Sequence, residues 1–287
     1  MRLHNPNADI FIPDNQPVPE ALARTTHLGV GAHQDDLEFM AFHGIAACHD
    51  RADCGFTGVV VTDGAGSART GEFARFSDEE MREVRREEQR EAARLGRYAA
   101  MVQLDYASGE VKVSENARLT EDLLAVFRST RPREVYLHNP ADKHDTHIAV
   151  LAHSLRALRR LPESERPGKV YGCEVWRSLD WLVDADKVIQ NVSAQEKLGE
   201  KLAAVFASQI AGGKRYDLAV AGRRFANATF FDAHSTDRAT ALQWAMDLTP
   251  LMADETLDPL DYTLRFVARF RRDIEDRLRK FFPVEQS

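Results

Sequence analysis

Residues 27–38 read HLGVGAHQDDLE. The first half, His27–Ala32, is a short apolar run that ends in small residues, and Leu37–Cys48 behind it carries apolar residues at helical spacing. A buried strand, a polar turn and a helix are thereby predicted in direct succession. Outward from this unit the same alternation repeats. Phe56–Thr62 (FTGVVVT) is strongly β-branched and stops at Asp63-Gly64, a turn signal. Ser77, with Glu80 three positions on, forms a capping box for a charged helix running to Leu95, with Gly96 as its C-cap. Ala99–Leu104 and Glu134–Leu137 read as strands, Asn116–Arg128 and Thr146–Arg160 as helices. Strands alternating with helices give βαβ units, hence an α/β fold with a Rossmann-like parallel sheet and helices on both faces.

Beyond Pro167 the pattern changes. Lys169–Trp176 and Trp181–Val192 look like strands, Ala194–Gln209, Leu218–Phe225 and the tail Pro259–Phe282 like helices. No linker divides the chain, so residues 1–287 are expected to form one domain with C-terminal additions, its motif-bearing α/β core over about residues 27–155. The tail, rich in Arg and Asp, reads as a packing helix or a homo-oligomer contact.

In open parallel sheets, ligands bind beyond the carboxyl ends of the strands. The loops after His27–Ala32, Phe56–Thr62 and Glu134–Leu137 should therefore meet in one crevice. The first supplies His33, Asp35 and Asp36; the last supplies His138, Asp142, His144, Asp145 and His147. Imidazoles with carboxylates are the ligand set of zinc or a similar divalent ion, with Fe(II) and Mn(II) as alternatives. A catalytic zinc takes about three protein ligands and leaves one position for water. His33 and Asp36, three apart at a helix start, share a face, and His147 supplies the third ligand from the other loop. Asp35 must then point elsewhere, as suits a carboxylate that takes a proton from water. His144 faces the same way as His147 and suits an oxyanion-stabilising and proton-donating group, its tautomer fixed by Asp142 or Asp145. Taken singly, an Asp-Asp pair is usually a helix cap and an HxxH a surface or core feature; their joint placement after two parallel strands favours catalysis. His138, at a strand end, belongs beside the site, whereas His43, His49, His153 and His234 read as structural.

These residues resemble the motifs of the PIG-L/LmbE family of zinc-dependent N-deacetylases. Ala32-His33-Gln34-Asp35-Asp36 with Glu38 is similar to the family's AHPDDE, and His144-Asp145-Thr146-His147 to its HPDH. The resemblance implies zinc on His33, Asp36 and His147, Asp35 as general base, His144 as the intermediate-stabilising group, and an N-acetylated amino sugar or glycoside as substrate. Arg85, Glu88, Ala92, Leu95 and Gly96 match the family's R-x-x-E-x-x-x-A-x-x-LG helix, which implies Arg85 as a substrate-holding residue. Ser208-Gln209 resembles a family SQ element. Gln34 departs from the usual proline, Leu37 is inserted before Glu38, and Thr146 stands in place of the HPDH aspartate. The later pattern of an acid before an aromatic reads Asn227-Ala228-Thr229-Phe230.

Other features have two readings. Met81–Arg94 is a solvated helix with i,i+4 ion pairs, or a source of arginines (Arg85, Arg86, Arg82) for the substrate. Thr62–Arg69 is placed to contact substrate or act as a lid. Gly29-Val30-Gly31 opens like a dinucleotide fingerprint, so a non-catalytic nucleotide- or metabolite-binding module is the alternative. The third glycine of that fingerprint is replaced by Gln34, and such a module has no use for His33, Asp36 and His147. The same centre acting on a non-sugar amide or ester is a closer variant.

The net charge is -7, which argues against nucleic acid as a partner. No apolar run approaches the roughly 20 residues of a membrane span. The polar N-terminus lacks a secretory pattern, and Cys48, Cys54 and Cys173 fit no disulfide framework, so buried thiols in a cytoplasmic protein are expected.

Overall fold

A computed structural model describes residues 1–282; the last five residues of the single-domain assignment lie outside the described ones. The strands are β1 (Asp9–Phe11), β2 (His27–Gly31), β3 (Phe56–Thr62), β4 (Ala100–Tyr106), β5 (Glu134–His138), β6 (Lys169–Cys173), β7 (Val188–Asn191) and β8 (Leu242–Asp247). They form one sheet in the order β1-β4-β3-β2-β5-β6-β8-β7. The stretch from β4 to β6 is parallel. β1 pairs antiparallel with β4, while β8 runs antiparallel to both β6 and β7. The strand order reverses at β2, which lies between β3 and β5. That is the switch point where a crevice opens beyond the strand ends.

Helices cover both faces, as expected of a Rossmann-like sheet. They are α1 (Val18–Ala23), α2 (Asp36–Met40), α3 (Phe42–Cys48), α4 (Asp78–Leu95), α5 (Ser108–Val111), α6 (Ala117–Thr130), α7 (Asp145–Arg159), α8 (Glu196–Val205), α9 (Ala207–Ala211), α10 (Tyr216–Thr229), α11 (Thr249–Ala253) and α12 (Pro259–Phe281). Side-chain alternation along the strands sorts the core. Val59 and Val61 pack with α6 and α7, whereas Val60 packs with α2, α3, α4 and α8. Each of these valines is fully buried, worth about 1.5–3 kcal/mol apiece.

Several elements differ from the sequence reading. The helix expected over Leu37–Cys48 breaks at Ala41 (φ −98°, ψ 14°). Side chains from elsewhere capture the carbonyls at the break: Arg224 donates to those of Glu38 and Phe39, and Gln243 to that of Phe39 at 2.6 Å. The strand expected over Trp181–Val192 shrinks to β7, because Asp184–Asp186 forms a 3-10 turn closed by Lys187 on Asp184 (2.9 Å). Ala194–Gln209 divides into α8 and α9. β8 lacks a sequence signal since LQWAMD has no β-branched residue; it is a strand because Trp244, Ala245 and Met246 are buried there.

Candidate metal centre and active site

The turn from β2 into α2 places the first group of side chains. Asp35, the N-cap residue of α2, has φ +93°, a strained backbone that turns its carboxylate away from that of Asp36. Asp36 folds back, so that its Oδ2 accepts from the His33 backbone N–H at 2.7 Å. The loop after β5 brings the second group. His147, in the first turn of α7, is buried. Its Nε2 lies 3.3 Å from His33 Nδ1 and 3.4 Å from Asp36 Oδ2, and His33 Nδ1 is 3.3 Å from the same oxygen. Three donors about 3.3–3.4 Å apart form one face of a tetrahedron whose centre lies about 2.0–2.1 Å from each, the length of zinc bonds to nitrogen and oxygen. The residues therefore fit a divalent ion, on donor type and spacing alike.

Burial works to raise the Asp36 carboxyl, but His147, His33 and His138 around it hold it well below the usual carboxylate range. Burial pushes Asp35 up to about 6, against the pull of Arg85 and with the help of Asp36's charge. Burial lowers His144, and the neighbouring His147 and His33 add to this. For His147, burial is outweighed by Asp36 and Asp142, so its pKa rises.

The surrounding contacts hold this arrangement. Arg85 is buried on α4 and donates to Asp35 Oδ2 at 3.1 Å and to the Gln34 carbonyl, with Glu88 at 3.4 Å. Glu88 in turn accepts from the Ser208 backbone and hydroxyl, both at 2.7 Å. The arginine-glutamate helix and the Ser208-Gln209 element are thus one connected support. Glu38 accepts from Tyr98 (2.6 Å) and Gln89 (2.8 Å), and Gln89 accepts from the Asp35 backbone N–H at 3.2 Å. His138 Nε2 accepts from the Ala32 backbone N–H at 2.9 Å, and its ring stacks on His147 with centroids 3.9 Å apart.

The sequence reading gave Asp142 or Asp145 the task of orienting His144, and the geometry differs. Asp142 Oδ2 lies 3.5 Å from His147 Nδ1 and accepts from the Trp176 backbone; toward His144 it accepts only the backbone N–H. Asp145 is exposed, because as the first residue of α7 it projects toward solvent. His144 Nδ1 has no partner among the described residues. Arg82 and Arg86, weighed as substrate contacts, are both turned onto Asp105. Arg85 lines the crevice, but its guanidinium is committed to Asp35.

The loops after β2, β3 and β5 meet as predicted around a cavity of about 610 Å³, with Gly64, Gly66, Ser67 and Ala68 of the Thr62–Arg69 loop in its wall. Gly64 has φ +76°, and a Cβ there would lie 2.6 Å from Gln34 and 2.9 Å from Arg85. The far wall was not legible: Glu174, Trp176, Tyr216, Arg223 and Gln243 stand in no motif and are gathered by the C-terminal half. Trp176 and Tyr216 meet edge to face with centroids 6.1 Å apart, and Lys214 lies over the Trp176 ring at 5.4 Å. Glu174 is buried, and its pKa is raised by that burial against Arg223; it accepts from Asn227 at 2.6 Å. Gly29 and Gly31 serve packing: a Cβ on either would press on Leu37 or Asp36 of α2, so neither fronts a phosphate cradle.

Residues 28–158 match the family model described as PIG-L, GlcNAc-PI de-N-acetylase. No curated protein sequence matches the chain. Among solved structures, N,N'-diacetylchitobiose deacetylase from Pyrococcus horikoshii is similar at 17% identity and TM-score 0.61, over 80% of this chain and 86% of that one. The 4-carboxy-2-hydroxymuconate hydratase GalB from Pseudomonas putida is similar at 19% identity and TM-score 0.59, over 79% and 97%. A deacetylase of teicoplanin biosynthesis is similar at 12% identity and TM-score 0.53, over 78% and 99%. At these identities the likeness is one of fold.

Proposed function

We propose, from the match of residues 28–158 to the PIG-L de-N-acetylase model, that this chain belongs to that family and is a metal-dependent hydrolase removing an N-acetyl or other N-acyl group from an amino sugar or glycoside. The observation that carries the reading is the triangle of His33, Asp36 and His147 on the cavity wall with Asp35 beside it. These three residues would hold one divalent ion per chain, zinc by donor set, with Fe(II) or Mn(II) as alternatives. Such an ion acidifies water and polarises an amide carbonyl.

The chain's own groups do the rest. Asp35, kept basic by burial and aimed by Arg85 and by the Glu38–Gln89 chain, takes the proton of the attacking water. As the water oxygen bonds to the amide carbon, His144 stabilises the charge on the carbonyl oxygen. When the C–N bond breaks, it supplies the proton that the departing amine needs. Asp142 keeps His147 oriented. Arg85 acts through Asp35, and the substrate rests against Trp176 and Tyr216, flat faces that suit a sugar ring. A cavity of this size, 610 Å³, falls within the range of small-ligand sites.

The same centre would also cleave a non-sugar amide or ester, and the apolar wall of Phe39, Val175 and Val220 is the feature that favours this second reading. The packing role of Gly29 and Gly31 weighs against a nucleotide-binding module. We read residues 1–287 as one domain. No helix among the described residues is long and apolar enough to cross a membrane; a cytoplasmic location rests on the free cysteines. Along α12, Leu260, Leu264, Val267, Ile274 and Leu278 are exposed at heptad spacing, which supports a homo-oligomer contact and is read directly by light scattering.

The test is release of free amine from a panel of N-acetylglucosaminides by metal-stripped protein reloaded with zinc, with Asp35→Asn as control. Zinc-dependent release lost in the control is expected. No release across the panel, at full zinc loading, would overturn the amino-sugar reading in favour of a non-sugar amide or ester.

A further inference from the structure

A second group of metal-ligating side chains lies at the opposite end of the sheet. Cys48 ends α3, Cys54 precedes β3, and His27 opens β2. His33 and His27 flank β2, so about 16 Å of strand separates this group from the catalytic crevice. Cys48 Sγ and Cys54 Sγ are 3.0 Å apart, and they lie 3.3 and 3.5 Å from His27 Nδ1. Thr26 Oγ1 closes the figure at 2.9 Å from His27 Nδ1, 3.1 Å from Cys54 Sγ and 3.7 Å from Cys48 Sγ.

All six edges of this four-cornered figure thus fall between 2.9 and 3.7 Å. A tetrahedron with edges of that size has its centre about 2 Å from each corner, close to zinc-to-imidazole lengths of about 2.0–2.1 Å and slightly inside zinc-to-thiolate lengths of about 2.3 Å. With both sulfurs at about 2.3 Å from the ion, the sulfur–sulfur edge would open from 3.0 Å to about 3.8 Å.

The remaining contacts are those of a ligand shell. His27 Nε2 faces the Glu134 carboxylate at 3.7 Å, which favours a proton on Nε2 and leaves Nδ1 turned toward the sulfurs. Glu134 is itself fixed by the Tyr136 hydroxyl at 3.0 Å, and that hydroxyl meets His43 at 2.9 Å. The backbone is stitched around the group. Thr26 and His27 both donate to the Gly55 carbonyl (2.8 and 3.1 Å), and Arg133 and Glu134 both donate to that of Thr26 (2.8 and 3.1 Å). Cys48 is buried, while His27 and Cys54 keep partial exposure, so an ion has a way in.

We propose that His27, Cys48 and Cys54 form a second, structural metal site for a soft or borderline divalent ion, zinc foremost, with the Thr26 hydroxyl at the fourth corner. The two thiols give up their protons on binding, so the dianionic pair and a divalent ion leave the site neutral. The ion ties the end of α3 and the connection before β3 to the start of the central strand. This site shares no residue with the triangle of His33, Asp36 and His147.

Cobalt(II) is the probe, because thiolate-to-cobalt charge transfer absorbs in the near ultraviolet and the catalytic centre contains no sulfur ligand. The full-length protein, reduced and then freed of reductant and metal, is titrated with cobalt(II). One thiolate-ligated cobalt per chain is expected. The band should be lost in Cys54→Ser and in His27→Gln, retained in His147→Ala, and bleached by stoichiometric zinc. Cys54 is partly exposed, so its serine variant should fold; circular dichroism checks this, and His27→Gln gives an independent reading. Absence of the band with both thiols titratable would overturn the site and leave a plain thiol pair. A Cys48–Cys54 disulfide that forms in air and is not prevented by bound zinc would overturn it in favour of a redox pair.

Discussion

Replacing Arg85 with methionine tests the coupling on which the proposed base depends. The guanidinium and the Asp35 carboxylate are 3.1 Å apart, with only 2% and 8% of their side chains exposed. At that separation and an effective dielectric constant of about 20, their attraction is about 5 kcal/mol. Breaking such a buried pair from one side costs about 3–5 kcal/mol, since the other charge is stranded. Arg85→Met should therefore destabilise the protein by about that much. Asp35→Asn should cost less, because Arg85 keeps the Gln34 carbonyl and Glu88. In the double variant no carboxylate is stranded, so its cost should fall short of the sum of the single costs by at least about 1 kcal/mol. The assay is urea unfolding followed by circular dichroism on all four chelator-treated proteins, with m-values checked for equality. Additivity within about 0.5 kcal/mol would refute the idea that Arg85 acts through Asp35.

Gly64→Ala places a Cβ 2.6 Å from Gln34 at φ +76°, so a loss of about 1–3 kcal/mol in stability is expected, with weaker substrate binding as the loop is displaced; thermal melts and KM check this. His153 is buried between Thr120 (2.9 Å) and the Val111 carbonyl (3.2 Å), and burial, aided by Arg156, lowers its pKa from 6.5. The unfolded chain takes that proton first, so the stability contributed by neutral His153 is lost as pH falls below 6.5 toward the folded value. The stability difference between the wild-type protein and His153→Asn should therefore shrink between about pH 7.5 and pH 5, and a constant difference in urea midpoints would contradict this.

The parallel half of the sheet could be read from the chain because β2, β3 and β5 are apolar runs closed by turn chemistry. Their order then dictated which loops meet. The triangle of His33, Asp36 and His147 followed from that topology and from i,i+3 spacing at a helix start. The opposite wall could not be read in this way. Glu174 and Trp176 come from the loop after β6 and Tyr216 from the start of α10, segments brought together around β8, a strand held by burial of Trp244 and Met246 without β-branched residues. The break at Ala41 was hidden for a similar reason, since Arg224 and Gln243, which satisfy its carbonyls, are remote in sequence. Asp142 and Asp145 show the limit of short-range spacing. Both neighbour His144 in the chain, yet one turns to His147 and the other to solvent. The cysteines read from sequence as buried thiols fitting no disulfide framework; Cys54 is only partly buried, and only the fold brings it and Cys48 onto His27.

His33, Asp36 and His147 are proposed to hold a divalent ion beside Asp35. An anomalous difference map from crystals of metal-stripped protein soaked in zinc tests this directly. A strong peak is expected about 2 Å from His33 Nδ1, His147 Nε2 and an Asp36 oxygen, facing the cavity. A map without density at that point, while zinc is bound elsewhere on the same chain, would contradict this metal centre.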